Sequence, residues 1–199
     1  EMIAKEGLDI VTVATGAGSH PAIVRDAAAN GVRGIYLESP IVDSLAEADT
    51  MIEQCQAAGI VLTMGHQRRW SDHFRWLRDA IREGAIGQPT NGYLYWSGGR
   101  VGSNGTHFLD AVSFALDSKP VEVAGTVGRG LDPTKTNGRP TPKTRTEEDP
   151  GALGFVTYAN GFRLAVDGGD DVRLGAAYMF CGTRGRIDLT EQCDWEIEY

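Results

Sequence analysis

His107 and Asp110 stand three residues apart in Gly105-Thr106-His107-Phe108-Leu109-Asp110, which follows the glycine-rich residues 98–105 and opens a helical pattern. An imidazole titrates near neutrality, so His107 is the strongest candidate for a group that takes or returns a proton. Asp110 shares its helix face and is a candidate to orient the ring or to bind a hydroxyl. The competing use of His107 is to cap the helix or pack at an interface. Arg68 and Arg69 are adjacent guanidinium forks, a geometry suited to carboxylate or phosphate. Surface ion pairing is their competing use, and it is favoured for one of the two. His66 and His73 do not form a ligand pair. Cys55, Cys181 and Cys193 lie far apart without a CxxC, so no metal site is expected.

A second constellation lies nearer the start. Gly16-Ala17-Gly18-Ser19-His20-Pro21 follows a strand-like run and precedes a helical one, and Glu38 ends the next strand-like run. Glycines there let a backbone approach a pyrophosphate, and an acid at the second strand end binds a ribose hydroxyl. The third glycine of that fingerprint is Pro21 here, so the phosphate-loop reading is the weaker one. The turn can still touch a cofactor as a later part of such a fold.

The elements that must position these groups follow from periodicity. Residues 8–14 form an apolar, β-branched run that suits a strand buried on both faces. Residues 21–30 read as a helix stopped by Gly31, and 33–38 as a strand. Residues 44–58 read as a helix with a Ser44/Glu47 capping box and apolar Leu45, Ala48, Met51, Ile52, Cys55 and Ala58. Residues 60–64 are a third buried strand, and 70–82 an amphipathic helix with Phe74, Leu77 and Ile81 on one stripe. This alternation predicts right-handed crossovers and a parallel sheet whose ligands bind at the strands' carboxyl ends: residues 15–20, 38–40 and 65–69.

From residue 90 the pattern changes. Half-exposed strands are expected at 90–97, 121–127, 152–158, 162–166, 176–180, 186–189 and 195–199, with one helix at 105–116. Asn160-Gly161 predicts a hairpin. The expected class is α/β followed by α+β: a partial Rossmann parallel sheet over 1–87, then a domain over 88–199 on an open, mostly antiparallel sheet. Residues 131–150 read as a long mobile loop in which Lys135, Arg139, Lys143, Arg145, Glu147, Glu148 and Asp149 are solvated.

Composition narrows the partners. Nineteen Lys and Arg against 27 Asp and Glu give a net charge of −8, which argues against nucleic acid, since phosphates need a basic face. With 41% hydrophobic and 23% charged residues, the chain is neither disordered nor fibrous. No apolar stretch approaches ~18 residues, so no membrane span is expected. Residues 1–7 are polar, carry no leader pattern and are expected to run straight into a strand. The unpaired cysteine spacing implies a reduced, cytoplasmic setting, with Cys55 a small buried apolar residue.

Taken in order, Asp9-Ile10-Val11-Thr12-Val13-Ala14-Thr15 with His20, Glu38-Ser39-Pro40, Gly65-His66-Gln67-Arg68-Arg69-Trp70, Ile81-Arg82-Glu83-Gly84-Ala85-Ile86-Gly87 and Gly105-Thr106-His107-Phe108-Leu109-Asp110 form one set. Tyr158-Ala159-Asn160-Gly161 and Gly182-Thr183-Arg184-Gly185 extend it. The set resembles the Gfo/Idh/MocA oxidoreductases over nearly the whole chain. That resemblance implies oxidation or reduction of a sugar, polyol or related hydroxy compound with NAD or NADP. It implies His107 as the catalytic base, Asp110, Arg69 and Asn104 at the substrate, and Thr15, Gly16, His20, Glu38, Ser39 and Pro40 at the cofactor. Pro40 itself is expected to fix the turn, with a cis Ser39–Pro40 bond. Residues 15–20 then resemble the turn after a middle strand. The glycine-rich phosphate loop is expected upstream of residue 1 and further chain beyond 199, so this stretch is expected to be part of a longer protein that binds cofactor weakly alone. Relatives bury the open sheet face in a homodimer, and Tyr93, Tyr95, Phe155 and Tyr158 suggest the same here. Two positions depart from the family. Ser39 stands where many relatives carry lysine, and Ser103 where many carry aspartate. They support a second expectation, a non-catalytic nucleotide- or sugar-binding sensor or partner protein of the same fold.

Overall fold

Three short β-branched runs pair in parallel, in the order in which they occur along the chain. A computed structural model describes residues 2–128, 149–169, 175–190 and 195–198. The chain divides into two compact units, Glu1–His66 and Gln67–Tyr199. This division lies ahead of the 87/88 boundary expected from the sequence, because the helix at 72–82 buries its apolar stripe in the second core.

In the first unit, helix α1 (Met2–Glu6) precedes strand β1 (Ile10–Val13), where the sequence suggested a direct entry into the strand. Helix α2 (His20–Ala29), strand β2 (Gly34–Leu37), helix α3 (Leu45–Ala57) and strand β3 (Val61–Met64) follow. The sheet order is β1-β2-β3, with Ile10 opposite Gly34 and Gly34 opposite Val61. Val11, Val13, Ile35 and Leu37 meet Val24, Ala27, Met51 and Cys55 in its core. The expectation that residues 8–14 are buried on both faces fails: burial alternates along β1, and Ile10 is 68% exposed. Two right-handed crossovers that advance in the same direction leave both helices on one face of the sheet. Helix α3 begins after Ser44, but the serine side chain makes no capping hydrogen bond, and Leu45 is 87% exposed rather than part of the buried stripe. Cys55 is buried, which pushes its thiol pKa up.

The second unit opens with a 3₁₀ turn (Gln67–Trp70) and helix α4 (Asp72–Arg82). Strand β4 (Pro89–Trp96), a π turn (Val101–Gly105), helix α5 (Thr106–Leu116) and strand β5 (Pro120–Val127) come next. Strands β6 (Ala152–Tyr158), β7 (Arg163–Asp167), β8 (Ala176–Gly182), β9 (Arg186–Thr190) and β10 (Trp195–Glu198) complete it. The seven strands lie in the order β10-β9-β8-β4-β7-β6-β5, and all pairs are antiparallel except β4 with β7. The hairpin between β6 and β7 turns at Asn160-Gly161, with Gly161 at φ 85° and its N–H donating to the Tyr158 carbonyl (2.9 Å).

Helices α4 and α5 pack on each other and on one face of this sheet. Phe74, Leu77, Ile81, Ala111 and Val112 meet Leu94, Trp96, Leu164, Tyr178 and Phe180. On the opposite face Phe155 is 66% exposed, in register with Ala165 and, through it, with Tyr93. Tyr158, expected beside Phe155, is buried in the core. An odd offset of three along a strand places the two residues on opposite faces. Residues 129–148 lie outside the described residues, and with them most of the segment expected to be a mobile loop; Cys193 also lies outside them. Among the described residues no helix is long and apolar enough to cross a membrane, and no cluster of His, Cys, Asp and Glu could hold a metal ion.

Leu77 is fully buried in this core, whereas Leu45 protrudes. Leu77→Ala is expected to lower unfolding free energy by about 2–5 kcal/mol. Leu45→Ala is expected to change it by less than about 0.5 kcal/mol. Urea denaturation of the two variants checks both.

Candidate functional site

The carboxyl ends of the parallel strands carry the first group of residues. After β1 the chain turns through a 3₁₀ segment, Ala17–Ser19, into α2, where Pro21 sits in the first turn. The hydroxyls of Thr15 and Ser19 lie 2.6 Å apart, and Ser19 Oγ donates to the Gly16 carbonyl (2.8 Å). His20 is only 1% exposed. Its Nδ1 lies 2.9 Å from the Ile41 carbonyl and its Nε2 3.1 Å from the Thr15 carbonyl. The ring therefore ties the turn after β1 to the segment after β2, and has no surface left for a ligand. A neutral imidazole donates to one of these oxygens at a time.

At the end of β2, the Glu38 carboxylate folds back on its neighbour. Its Oε1 accepts from the Ser39 N–H (2.9 Å) and lies 3.4 Å from the Ser39 hydroxyl. The Ser39–Pro40 bond is cis, as expected from the proline. A Cβ at Gly65 would stand 3.0 Å from Glu38 Oε1, so this carboxylate lies close against the residue that follows β3. Thr15, Gly16, Glu38, Ser39 and Pro40 thus gather at the strand ends, and His20 lies beneath them as a brace.

In the second unit the π turn leads directly into α5. Arg100 starts it in a left-handed conformation (φ 60°), and its carbonyl accepts from the Asn104 and Gly105 N–H groups (2.7 and 3.2 Å). The start of a helix leaves N–H groups without intrahelical acceptors. Here Asp149 supplies an acceptor to two residues of the turn, its carboxylate receiving the N–H of Gly102 (2.6 Å) and of Ser103 (2.8 Å). Asp149 is therefore not a solvated loop residue, as its sequence context suggested, but an anchor of the π turn. Ser103 also accepts from the Arg100 guanidinium (2.9 Å).

A cavity of about 250 Å³ lies beside this turn, lined by Gln67, Arg68, Ser97, Asn104, His107, Phe108 and Gly175. His107 occupies the first turn of α5, and its Nδ1 is buried. Asn104 Nδ2 donates to the Gly99 carbonyl (3.3 Å), which also accepts from Trp96 Nε1 (2.8 Å). Trp96 stacks on Phe108 with centroids 5.4 Å apart, and the Arg68 guanidinium lies 4.4 Å from the Phe108 centroid.

Arg69 takes a different direction. Its Nε and Nη2 donate to the two oxygens of Asp110 at 2.8 and 2.7 Å. Asp110 is only 14% exposed. The hydrogen bond and charge of Asp110 hold the Arg69 guanidinium above its ordinary pKa, against the opposing effect of burial. The two residues expected at the substrate therefore bind each other, and Arg68 lines the cavity instead. A 3₁₀ turn separates successive side chains by about 120°, so adjacent arginines cannot share a direction. Ser97 and Gly175 were also missed. Ser97 follows a strand with no motif of its own, and Gly175 comes from a distant part of the chain.

Residues 1–66 match the Gfo/Idh/MocA oxidoreductase family, NAD-binding Rossmann fold. Over these residues the chain belongs to that family. It is 28% identical to the D-apiose dehydrogenase of Rhizobium rhizogenes over 98% of its length and 59% of that protein's. It is 30% identical to the 2,7-anhydro-N-acetylneuraminate hydratase of Mediterraneibacter gnavus over 97% of its length and 54% of that protein's. The chain thus spans little more than half the length of the relatives that it matches throughout. In fold it resembles an oxidoreductase from Agrobacterium radiobacter, solved with NAD+, L-tartaric acid and magnesium. The TM-score is 0.79 at 24% identity, over 98% of this chain and 59% of that one. The family's parallel sheet and its second, mostly antiparallel sheet are both present.

The Arg69–Asp110 pair is half in solvent on the arginine side. A double-mutant cycle on Arg69→Gln and Asp110→Asn is expected to give a coupling of about 1 kcal/mol at low ionic strength. Denaturation in about 1 M salt is expected to remove most of it.

Proposed function

We propose that this chain forms part of an NAD(P)-dependent oxidoreductase acting on a sugar, polyol or related hydroxy compound. The observation that carries the reading is the polar cavity with His107 at the head of α5. The names of several relatives, which include D-apiose and inositol dehydrogenases, support the substrate class.

The strand ends of the first unit fit a dinucleotide. Among the described residues, none beyond the immediate chain neighbours comes within 4 Å of where a Cβ would stand at Gly16 or Gly18, so the backbone there is open to close approach by a ligand. Thr15, Gly16, Glu38, Ser39 and Pro40 are the residues that would hold it, with His20 keeping their two segments in place. When bound, the nicotinamide supplies the two-electron acceptor or donor. NAD and NADP both remain within the proposal.

In the second unit His107 takes the proton of the reacting hydroxyl. Its Nδ1 is buried, so we assign the proton transfer to Nε2. Asn104 directs its amide nitrogen to Gly99, which leaves Oδ1 to accept from a substrate hydroxyl. Ser97 and Gln67 supply further hydrogen-bonding groups to the cavity wall. Ser39 cannot act as the base that a lysine supplies, because a serine hydroxyl stays protonated near neutrality. In this reading His107 alone manages the proton.

His107→Ala is expected to lower turnover by ~10² or more in the protein carrying this chain, read from reduced-nicotinamide absorbance against a panel of sugars and polyols. Unchanged turnover would remove His107 from the mechanism. No nicotinamide binding at all would favour a sensor or partner protein of the same fold.

The exposed sheet face is the proposed homodimer surface. Phe155 and Leu153 stand on it, as do Tyr93 and Tyr95, whose rings lie 5.9 Å apart. Apolar groups of this size gathered on one face favour burial against a partner. A dimer is expected in sedimentation, and Phe155→Glu is expected to shift it to monomer. A monomeric parent chain would refute this part of the reading.

A further inference from the structure

We infer that Asp149 is a positioning residue for the reaction proposed above, and that its carboxylate sets His107 and Asn104 where they meet the substrate. This rests on the oxidoreductase reading and adds a residue to it. Asp149 and Pro150 together take up three successive N–H groups of the π turn. The Pro150 carbonyl accepts from Val101 at 3.0 Å, and the two oxygens of Asp149 accept from Gly102 at 2.6 Å and from Ser103 at 2.8 Å. The next two N–H groups, of Asn104 and Gly105, reach the Arg100 carbonyl at 2.7 and 3.2 Å. Each N–H from Val101 to Gly105 therefore has an acceptor, and among these acceptors only the Asp149 carboxylate is charged. A charged acceptor makes the stronger hydrogen bond and also opposes the partial positive charge of a helix start.

The clamp reaches His107 because the turn runs directly into α5, of which His107 is the second residue. A displacement of the turn carries Asn104 and His107 with it, and both line the cavity. The clamp is itself held by the sheet. Asp149 lies just ahead of β6, which pairs with β5 on one side and β7 on the other. Between them, the Gly151 carbonyl accepts from Gly128 at 2.7 Å and the Ala152 carbonyl from Gly168 at 2.8 Å. The fit at the turn is close: a Cβ at Gly102 would stand 3.1 Å from Asp149 Oδ1, so the carboxylate must move to admit a side chain there.

Kinetics and histidine NMR on the protein carrying this chain test the assignment together. Asp149→Ala is expected to lower kcat on the sugar or polyol that the protein turns over by ~10²-fold, as a misplaced catalytic group does, with KM for the nicotinamide unchanged. Asp149→Asn, which keeps the size of the side chain and one acceptor oxygen, is expected to lose less, and it carries the same readouts if Asp149→Ala does not fold. Gly102→Ala is expected to lower kcat by itself and to add nothing to Asp149→Ala, because both act on one contact. In spectra of isotope-labelled histidine, the His107 ring signal, identified by its loss in His107→Gln, is expected to shift in Asp149→Ala. Unchanged kcat in Asp149→Ala of an active protein would overturn the inference and leave the oxidoreductase reading standing. An unmoved His107 signal, or additive losses from Gly102→Ala and Asp149→Ala, would overturn it as well. A protein that turns over no sugar or polyol while its His107 signal shifts in Asp149→Ala would overturn the oxidoreductase reading and leave the positioning of His107 by Asp149 standing.

Discussion

The site in the second unit depends on how the first turn of α5 is anchored. A helix start presents N–H groups that lack intrahelical acceptors, and it carries a partial positive charge. Asp149 meets both requirements at once by accepting from Gly102 and Ser103. Arg100, in its left-handed conformation, supplies a carbonyl to Asn104 and Gly105 and a guanidinium to Ser103. The wide π turn that results carries Asn104 and then His107 to the cavity wall. Ser103 is itself neutral, and the carboxylate at this turn arrives from residue 149.

The helices brace the same region from outside. Arg69 binds Asp110 with two hydrogen bonds and joins the 3₁₀ turn before α4 to the second turn of α5. Trp96, Phe108, Phe74 and Tyr178 continue this contact into the core through ring packing. The aromatic layer therefore ties the core to the cavity wall, since Phe108 packs on Trp96 and also lies beneath the Arg68 guanidinium. In the first unit a comparable brace is a single buried imidazole. His20 joins two strand-end segments through their carbonyls, and the Glu38 carboxylate lies close against the residue that follows β3.

Elements were legible in the sequence because their signals are local. Phe74, Leu77 and Ile81 repeat at helical spacing and are buried together, and Asn160-Gly161 marks the turn between β6 and β7. Local signals misled where burial depends on what covers a face. Ile10 looked as buried as Val11, but the two crossover helices, α2 and α3, lie on one side of the sheet. Tyr158 looked like a partner of Phe155, yet strand alternation sends it to the other face.

The sequence by itself determined the order of elements from β1 onward, the parallel and mostly antiparallel character of the two sheets, the placement of His107 at a helix start and the family resemblance. Each of these depends on spacing within a few residues or on an ordered set of short motifs. Tertiary structure decided which neighbour of each pair does what. It directed Arg69 to Asp110, 41 residues away, and left Arg68 at the cavity. It brought Asp149 to a turn 46 residues earlier in the chain and enclosed His20 between two carbonyls. Contacts at such separations depend on how strands and helices are stacked, and no local periodicity carries that information.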